Sequence, residues 1–317
     1  MSTGLTAATP TTATQRPGNG ARRRLVAGQP LPHPLARAAK GLVLLVLCGF
    51  VVFPFVGVVS TSLSSSDHVL RNGGFVMVPD GIHLDAYRAV LSGGVVTRAT
   101  VVSLLVTTVG TAMSLAATAM LGYALSRSRA FGMRPMLLLV LGSLLFAPGM
   151  IPVYLTVRSL GMIDSYWALI IPTMVSAFNV VVVRAFFSGI PAELYESARI
   201  DGASEWQVFS RIALPLSKAV LAVVGLFYAV GYWNAFFNGL LYLNDAAKWP
   251  LQLVLRTYVQ QGAALSATDV GAASEALPPQ QSLQMAILVI SLVPILCVYP
   301  FVQRHFTKGV LTGAVKG

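Results

Sequence analysis

Charge is what this sequence has least of. Only 10% of its 317 residues are Asp, Glu, Lys or Arg, against about 25% in a soluble domain, while 55% are hydrophobic. Most of the chain is therefore solvated by something other than water. Acids are scarcer than bases, 11 against 22, a balance that raises nucleic-acid binding as a question. Cysteine is nearly absent. Cys48 and Cys297 both fall inside apolar runs, which excludes a disulfide framework and zinc spacing and leaves them as plain core residues. The four histidines are scattered without ligand spacing, so no metal site is expected.

Catalytic spellings are missing as well. No G-x-x-x-x-G-K-[ST] phosphate loop exists, so the chain is not expected to bind or hydrolyse ATP by itself. Gly309 and Gly313 near Lys316 do not make one, because no Ser or Thr follows the lysine and no strand precedes it. Neither G-x-S-x-G nor H-E-x-x-H occurs. The apolar runs contain no acids, which argues against a proton- or ion-driven relay. Energy for any transport must then come from a partner.

What is present is hydrophobic length. Six runs reach the roughly 20 residues a helix needs to cross hydrocarbon: Gly41–Thr61, Ala99–Leu121, Pro135–Leu155, Tyr166–Phe187, Leu216–Leu240 and Leu283–Phe301. Backbone in lipid must pair within its own segment, so the fold class is an all-α membrane protein with six transmembrane helices. Pro54, Pro148, Pro152, Pro172 and Pro294 are each expected to kink or end a helix. Residues 1–40 read as a disordered basic tail, 41–303 as the membrane domain and 304–317 as a C-terminal tail. A cleaved signal is the rival for the start, with Arg22-Arg23-Arg24 as its basic region. The apolar run that follows is too long for one and lacks an A-x-A-like exit.

Placing both termini in the cytoplasm puts sixteen of the 22 Lys and Arg inside, which is the positive-inside asymmetry of a membrane protein. The basic excess is thus a topology signal, and no nucleic-acid partner is needed to explain it. Two outer loops are long. Leu63–Arg98 carries Leu84, Tyr87, Val90 and Leu91 on one helical face, stopped by Gly93-Gly94. Leu241–Ser282 carries Leu251, Val254, Leu255, Tyr258 and Val259 at helical spacing after Pro250. That second stripe suits a helix on the outer surface or against a partner, or equally a core-facing one. Tyr123, Tyr166 and Trp167 sit near span ends, as interface-belt residues do.

Between the fourth and fifth runs lies Pro191–Pro215, the long polar interruption where acids and bases gather. Pro191 suits a first helical position. Glu193 and Glu196 occupy the first turns, where the helix dipole favours negative charge. Asp201-Gly202 breaks the helix, since glycine enters left-handed geometry cheaply. Ser204 and Gln207 have capping-box spacing for a restart. The result is a helix–turn–helix knuckle between two membrane segments.

Glu196-Ser197-Ala198, Asp201-Gly202-Ala203 and Ile212-Ala213-Leu214-Pro215 together resemble the EAA loop of ABC importer permeases, with Ser197 where the family usually has Ala. Gly231-Tyr232-Trp233-Asn234 and Gly313-Ala314-Val315-Lys316-Gly317 resemble the carbohydrate branch. Pro148-Gly149-Met150-Ile151-Pro152 with Tyr154 resembles the permeases that handle oligosaccharides or uronate-containing sugars. The resemblance covers most of the chain from about Leu42. It implies the type I importer permease fold, with Glu196, Ser197, Ala198, Asp201, Gly202, Ala203, Ile212, Leu214 and Pro215 in a cytoplasmic coupling helix. It also implies the partners: a second homologous permease subunit, a dimer of cytosolic ATPase subunits that bind the ATP, and an extracytoplasmic sugar-binding protein. The C-terminal tail would reach toward the ATPase interface. Importers of a polyamine or phosphonate, or a six-span scaffold or sensor, remain alternatives.

Asn179, Tyr228, Tyr232, Trp233, Asn234 and Asn238 are the polar and aromatic groups of the fourth and fifth runs. Polar groups in a membrane face the bundle interior. Aromatic faces with amides suit a sugar path, and the same groups suit hydrogen bonds between helices. The topology itself is testable. Cysteines placed near Ser66 and Thr268 should react with an impermeant label from outside intact cells, whereas cysteines at Ser128 and Ser204 should not. Labelling at Ser204 from outside would overturn the orientation.

Overall fold

The computed structural model describes residues 25–26, 29–30, 34–127, 132–266, 269 and 277–313, with side chains described between residues 34 and 300. It divides into two compact units, residues up to Pro54 and residues from Phe55 onward. In the first, Leu25–Val26 pairs antiparallel with Gln29–Pro30. The helix α1 (Pro34–Leu63) then begins, its apolar side chains exposed on all sides through this unit. The expected tail otherwise lies outside the described residues, as do residues 314–317.

The second unit holds no strand among the described residues. After α1 come α2 (Ser66–Arg71), α3 (Asp85–Leu91), α4 (Val95–Ser126), α5 (Met133–Leu145), α6 (Met150–Ser159), α7 (Trp167–Ile170) and α8 (Ala177–Ser188). The knuckle follows as α9 (Ala192–Ile200), α10 (Glu205–Val208) and α11 (Leu214–Leu216), then α12 (Lys218–Trp233), α13 (Phe236–Tyr242), α14 (Leu251–Leu255) and α15 (Gln280–Gly313).

Three helices are long and apolar enough to cross a membrane unbroken: Pro34–Leu63, Val95–Ser126 and Gln280–Pro300. They correspond to the first, second and sixth runs. The other three runs are interrupted. The third stops at Phe146, where Pro148 and Gly149 (φ 78°) separate α5 from α6. The fourth bends by 51° between Trp167–Thr173 and α8, after a 3-10 turn containing Pro172. The fifth breaks at Asn234 and Ala235, between α12 and α13. By contrast Pro54 and Pro294 stay inside unbroken helices. Irregular backbone at such depth is tolerated where protein surrounds it or a cavity opens beside it.

α4 is the centre of the unit. Gly110, Ser114, Thr118 and Gly122 recur every fourth residue along it, all buried. A Cβ on Gly110 would lie 2.9 Å from the Tyr232 ring, and one on Gly122 would lie 2.9 Å from Val183 Cγ1. Small residues let the helices approach where lipid supplies no hydrophobic drive between them. Cys48 and Cys297, expected in the core, are exposed on their helices instead, because an apolar side chain in lipid need not be covered by protein.

The two long loops are tied down by polar groups. In the first, Thr61 Oγ1 accepts from Val76 N at 2.8 Å, and Ser60 Oγ donates to Met77 O at 3.0 Å. The Ser65 hydroxyl and amide both bond Asp80 and hold its carboxyl at about 2. α3 buries Ala86 and Val90, while Leu84 and Leu91 of the expected face are exposed. The Leu251 stripe is core-facing: Leu251 and Val254 pack with Leu283, Ala286 and Ile287 of α15.

Asp164 clasps two of these loops together. It adopts φ 60°, a left-handed conformation that Asp tolerates better than most residues. Its Oδ1 accepts the amides of Asn244 at 3.1 Å and Asp245 at 3.0 Å. Lys248 Nζ donates to its Oδ2 at 2.8 Å and its carbonyl at 2.9 Å. The Lys248 hydrogen bond holds the Asp164 carboxyl below the usual carboxylate range. The clasp is therefore intact at neutral pH and is lost only as pH falls through that depressed value. Asp164→Ala should speed amide exchange at Asn244–Lys248 markedly, and Asp164→Asn, which keeps an acceptor and tolerates φ 60°, should do so less. Equal exchange in all three proteins would refute the clasp.

Candidate functional site

The knuckle is built by local chemistry. Pro191 is the N-cap of α9, one position before the helix proper, with ψ 134°. α9 ends in paired bonds: Ala203 N to Ala198 O at 2.9 Å and Gly202 N to Arg199 O at 3.0 Å. Those are the 6→1 and 5→2 bonds of a Schellman motif, which needs a left-handed residue at its turn. Gly202 supplies it at φ 80°. The chain restarts at Ser204, whose hydroxyl accepts from Gln207 N while Gln207 Oε1 accepts from Ser204 N at 2.8 Å. A π-helical segment, Phe209–Ala213, joins α10 to α11, and the chain then bends by 82° into α12.

This brings the EAA-like residues together. Ser197, Ala198, Asp201, Ile212 and Pro215 line one groove of about 380 Å³, and Asp201, Gly202, Ala203 and Ile212 line an adjoining one of about 260 Å³. Leu214 packs partly buried against the core behind them. Glu196 faces a third hollow, of about 620 Å³, and makes no hydrogen bond or ion pair among the described residues. Leu194, Ile200, Trp206 and Leu216 leave apolar surface exposed around the knuckle.

Behind the knuckle stands a polar chain. Arg127, at the end of α4, lies 3.7 Å from the centre of the Tyr195 ring and donates from Nη2 to Tyr123 Oη at 2.9 Å. Its Nε is buried with no hydrogen-bond partner among the described residues. Tyr123 donates to Glu205 Oε2 at 3.0 Å, and Glu205 Oε1 accepts from Arg199 Nη2 at 2.6 Å. Burial opposes the Glu205 charge, but the bonds from Arg199 and then Tyr123 outweigh it and hold the carboxyl below its usual value. The Arg199–Glu205 pair is half exposed, so it is worth about 0–1 kcal/mol. Tyr123 is thus buried in a junction, where an interface-belt position was expected.

The second site is a cavity of about 380 Å³ beside the breaks of the fourth and fifth runs. Four of the six expected path residues line it: Asn179, Tyr228, Tyr232 and Asn238. Thr173, Ser176, Phe178 and Phe227 join them, and no charged residue does. The tyrosine hydroxyls are engaged between helices. Tyr232 Oη pairs with Ser114 Oγ and Tyr228 Oη with Thr118 Oγ1, both at 2.7 Å. Tyr228 Oη also accepts from Ser176 N at 3.0 Å. Each such bond in a membrane is worth about 1 kcal/mol. The tyrosines therefore offer the cavity their rings, while the side-chain amides of Asn179 and Asn238 make no hydrogen bond among the described residues. Trp233 and Asn234 are not brought to the cavity. Trp233 donates from Nε1 to Ser291 O at 3.1 Å in the α15 packing, and Asn234 caps its own helix through Val230 O at 2.9 Å.

The family described as binding-protein-dependent transport system inner membrane component matches residues 102–312. The chain belongs to this family. The permease is 44% identical over 268 residues to the polygalacturonan/rhamnogalacturonan transport system permease protein YtcP of Bacillus subtilis (strain 168), covering 84% of this chain and 93% of the relative. Protein LplC of the same organism is 47% identical over 84% of this chain and 90% of its own. A chain from the crystal structure of a bacterial ABC transporter involved in the import of the acidic polysaccharide alginate superposes with TM-score 0.79 at 29% identity, covering 88% of this chain and all of that one. This is accordingly a multi-pass membrane permease of the ABC transporter class.

Sequence reasoning missed two parts of the permease. One is the small-residue stripe of α4, whose four-residue period was a visible signal. The other is the junction of Tyr123, Arg127 and Glu205, which spans 82 positions and left none. The turn at Gly202 allows a direct test. Nothing lies within 4 Å of a Cβ placed there, so a substitution meets backbone strain and no clash. Gly202→Ala should destabilise the knuckle by about 1 kcal/mol, and Gly202→Asn by less. Thermal unfolding of the purified protein that ranks the two variants equally would refute the strain account.

Proposed function

We propose that this permease is the membrane-spanning subunit of an ATP-driven importer that passes an oligosaccharide from an extracytoplasmic binding protein to the cytoplasm. Its chain crosses the membrane six times, the third, fourth and fifth crossings broken, with both termini inside. The observation that carries the substrate class is the uncharged cavity with two unengaged amides and four aromatic rings. Aromatic faces suit the C–H-rich faces of sugar rings, and amides suit hydroxyl groups and carboxylates alike. The names of the relatives point the same way, and those sugars include uronate-bearing ones.

Partners complete the machine. A second permease of this fold encloses the path, two ATPase subunits bind the nucleotide, and the knuckle seats in a groove on one of them. The exposed apolar residues around the knuckle and the unpaired Glu196 support that seating. ATPase closure moves the knuckle, the helices rock, and the cavity opens to the other side.

The deciding experiment is uptake by the reconstituted four-subunit complex with its binding protein, against galacturonan oligosaccharides and neutral oligosaccharides. Uptake of an oligosaccharide that needs ATP is expected, and Asn179→Leu and Asn238→Leu should each weaken it about tenfold, one hydrogen bond's worth. Gly202→Asp should leave the permease in the membrane but loosen the ATPase subunits and abolish uptake, with Glu196→Lys milder. Transport of a polyamine or phosphonate alone, or no transport, would reject the reading.

A further inference from the structure

We propose that Tyr123, Arg127, Arg199 and Glu205 form a latch that makes the knuckle and α4 move as one body, so that displacement of the knuckle reaches the cavity wall through α4. The proposal rests on the importer reading above and names the positioning residues that such a machine would use.

Two covalent routes lead from knuckle to cavity. One runs through Gly189–Pro191 into α8, and the other passes through the 82° bend between Glu205–Leu216 and α12, which absorbs displacement. A third route, through α4, is one unbroken helix. The hollow of about 620 Å³ separates the end of α4 from α9 and α10, so the two are not packed flush. What crosses the gap is the chain Tyr195–Arg127–Tyr123–Glu205–Arg199, which takes hold of α9 at two points and α10 at one. Tyr123 is braced from behind by Phe187 and Phe209, with ring centres 5.7 and 5.0 Å away.

From that junction α4 runs to the cavity with a contact at nearly every turn. Gly122 meets Val183 of α8, Thr118 bonds Tyr228, Ser114 bonds Tyr232, and Gly110 closes on the Tyr232 ring. Tyr228 and Tyr232 are cavity walls, and Tyr228 also holds Ser176 at the break before α8. A shift of α4 along its axis therefore displaces both halves of the cavity lining together.

Two measurements on the full complex test this. Spin labels at Met120→Cys, which is exposed on α4, and at Glu193→Cys, which is exposed on α9, go into protein with Cys48 and Cys297 replaced by Ser. Their separation should stay the same between nucleotide-free and ATP-trapped states. It should broaden in Tyr123→Phe and in Glu205→Ala. A separation that changes between states in the otherwise unaltered protein overturns the latch. In parallel, substrate moved per ATP should fall about three- to tenfold in Tyr123→Phe and Glu205→Ala, with normal subunit stoichiometry. Glu205→Gln, which keeps one acceptor oxygen and turns the other position into a donor, should recover part of that loss. An unchanged ratio in Tyr123→Phe, which keeps the ring and its packing, refutes the proposal even if Glu205→Ala fails to assemble. A wild-type complex that hydrolyses ATP without moving substrate overturns the importer reading, and the latch with it.

Discussion

Everything in this permease leans on how closely α4 can approach its neighbours. In hydrocarbon a buried leucine gains nothing over a lipid-facing one, so helices are held by close contact and hydrogen bonds. Gly110 and Gly122 permit that contact, and Ser114 and Thr118 supply bonds of 2.7 Å to Tyr232 and Tyr228. The tyrosines that line the cavity are held there by α4. A bulkier residue anywhere along the stripe would push the cavity wall and the helix apart together.

Charge does its work at the two ends. At one end Asp164 and Lys248 join loops 84 positions apart, and at the other Glu205 bridges α4 to both arms of the knuckle. Each site is partly exposed, so neither adds much stability. What each adds is position: a fixed distance between elements that would otherwise be connected only by turns.

Local signals were legible wherever a few neighbouring residues decide the backbone. The knuckle is the clearest case. Gly202 at φ 80° and the Ser204–Gln207 box both stand where the spelling put them. Long apolar runs were legible for the same reason, although Pro148, Pro172 and Asn234 broke three of them more thoroughly than a kink. The cavity lining was partly legible. Asn179 and Asn238 reach the cavity, but Trp233 points to α15 because residues one position apart on a helix differ by about 100° in direction.

The sequence by itself determined that this is a helical membrane protein, where its polar knuckle lies and how that knuckle turns. These follow from composition, hydrophobic length and interactions within four or five residues. Only the tertiary structure decided which polar groups are engaged and which are free. Tyr228 and Tyr232 bond to α4 across more than a hundred positions, Tyr123 reaches Glu205, and the Asn179 amide is left facing the cavity. Such partners are set by how helices distant in the chain cross one another, and no local pattern carries that crossing.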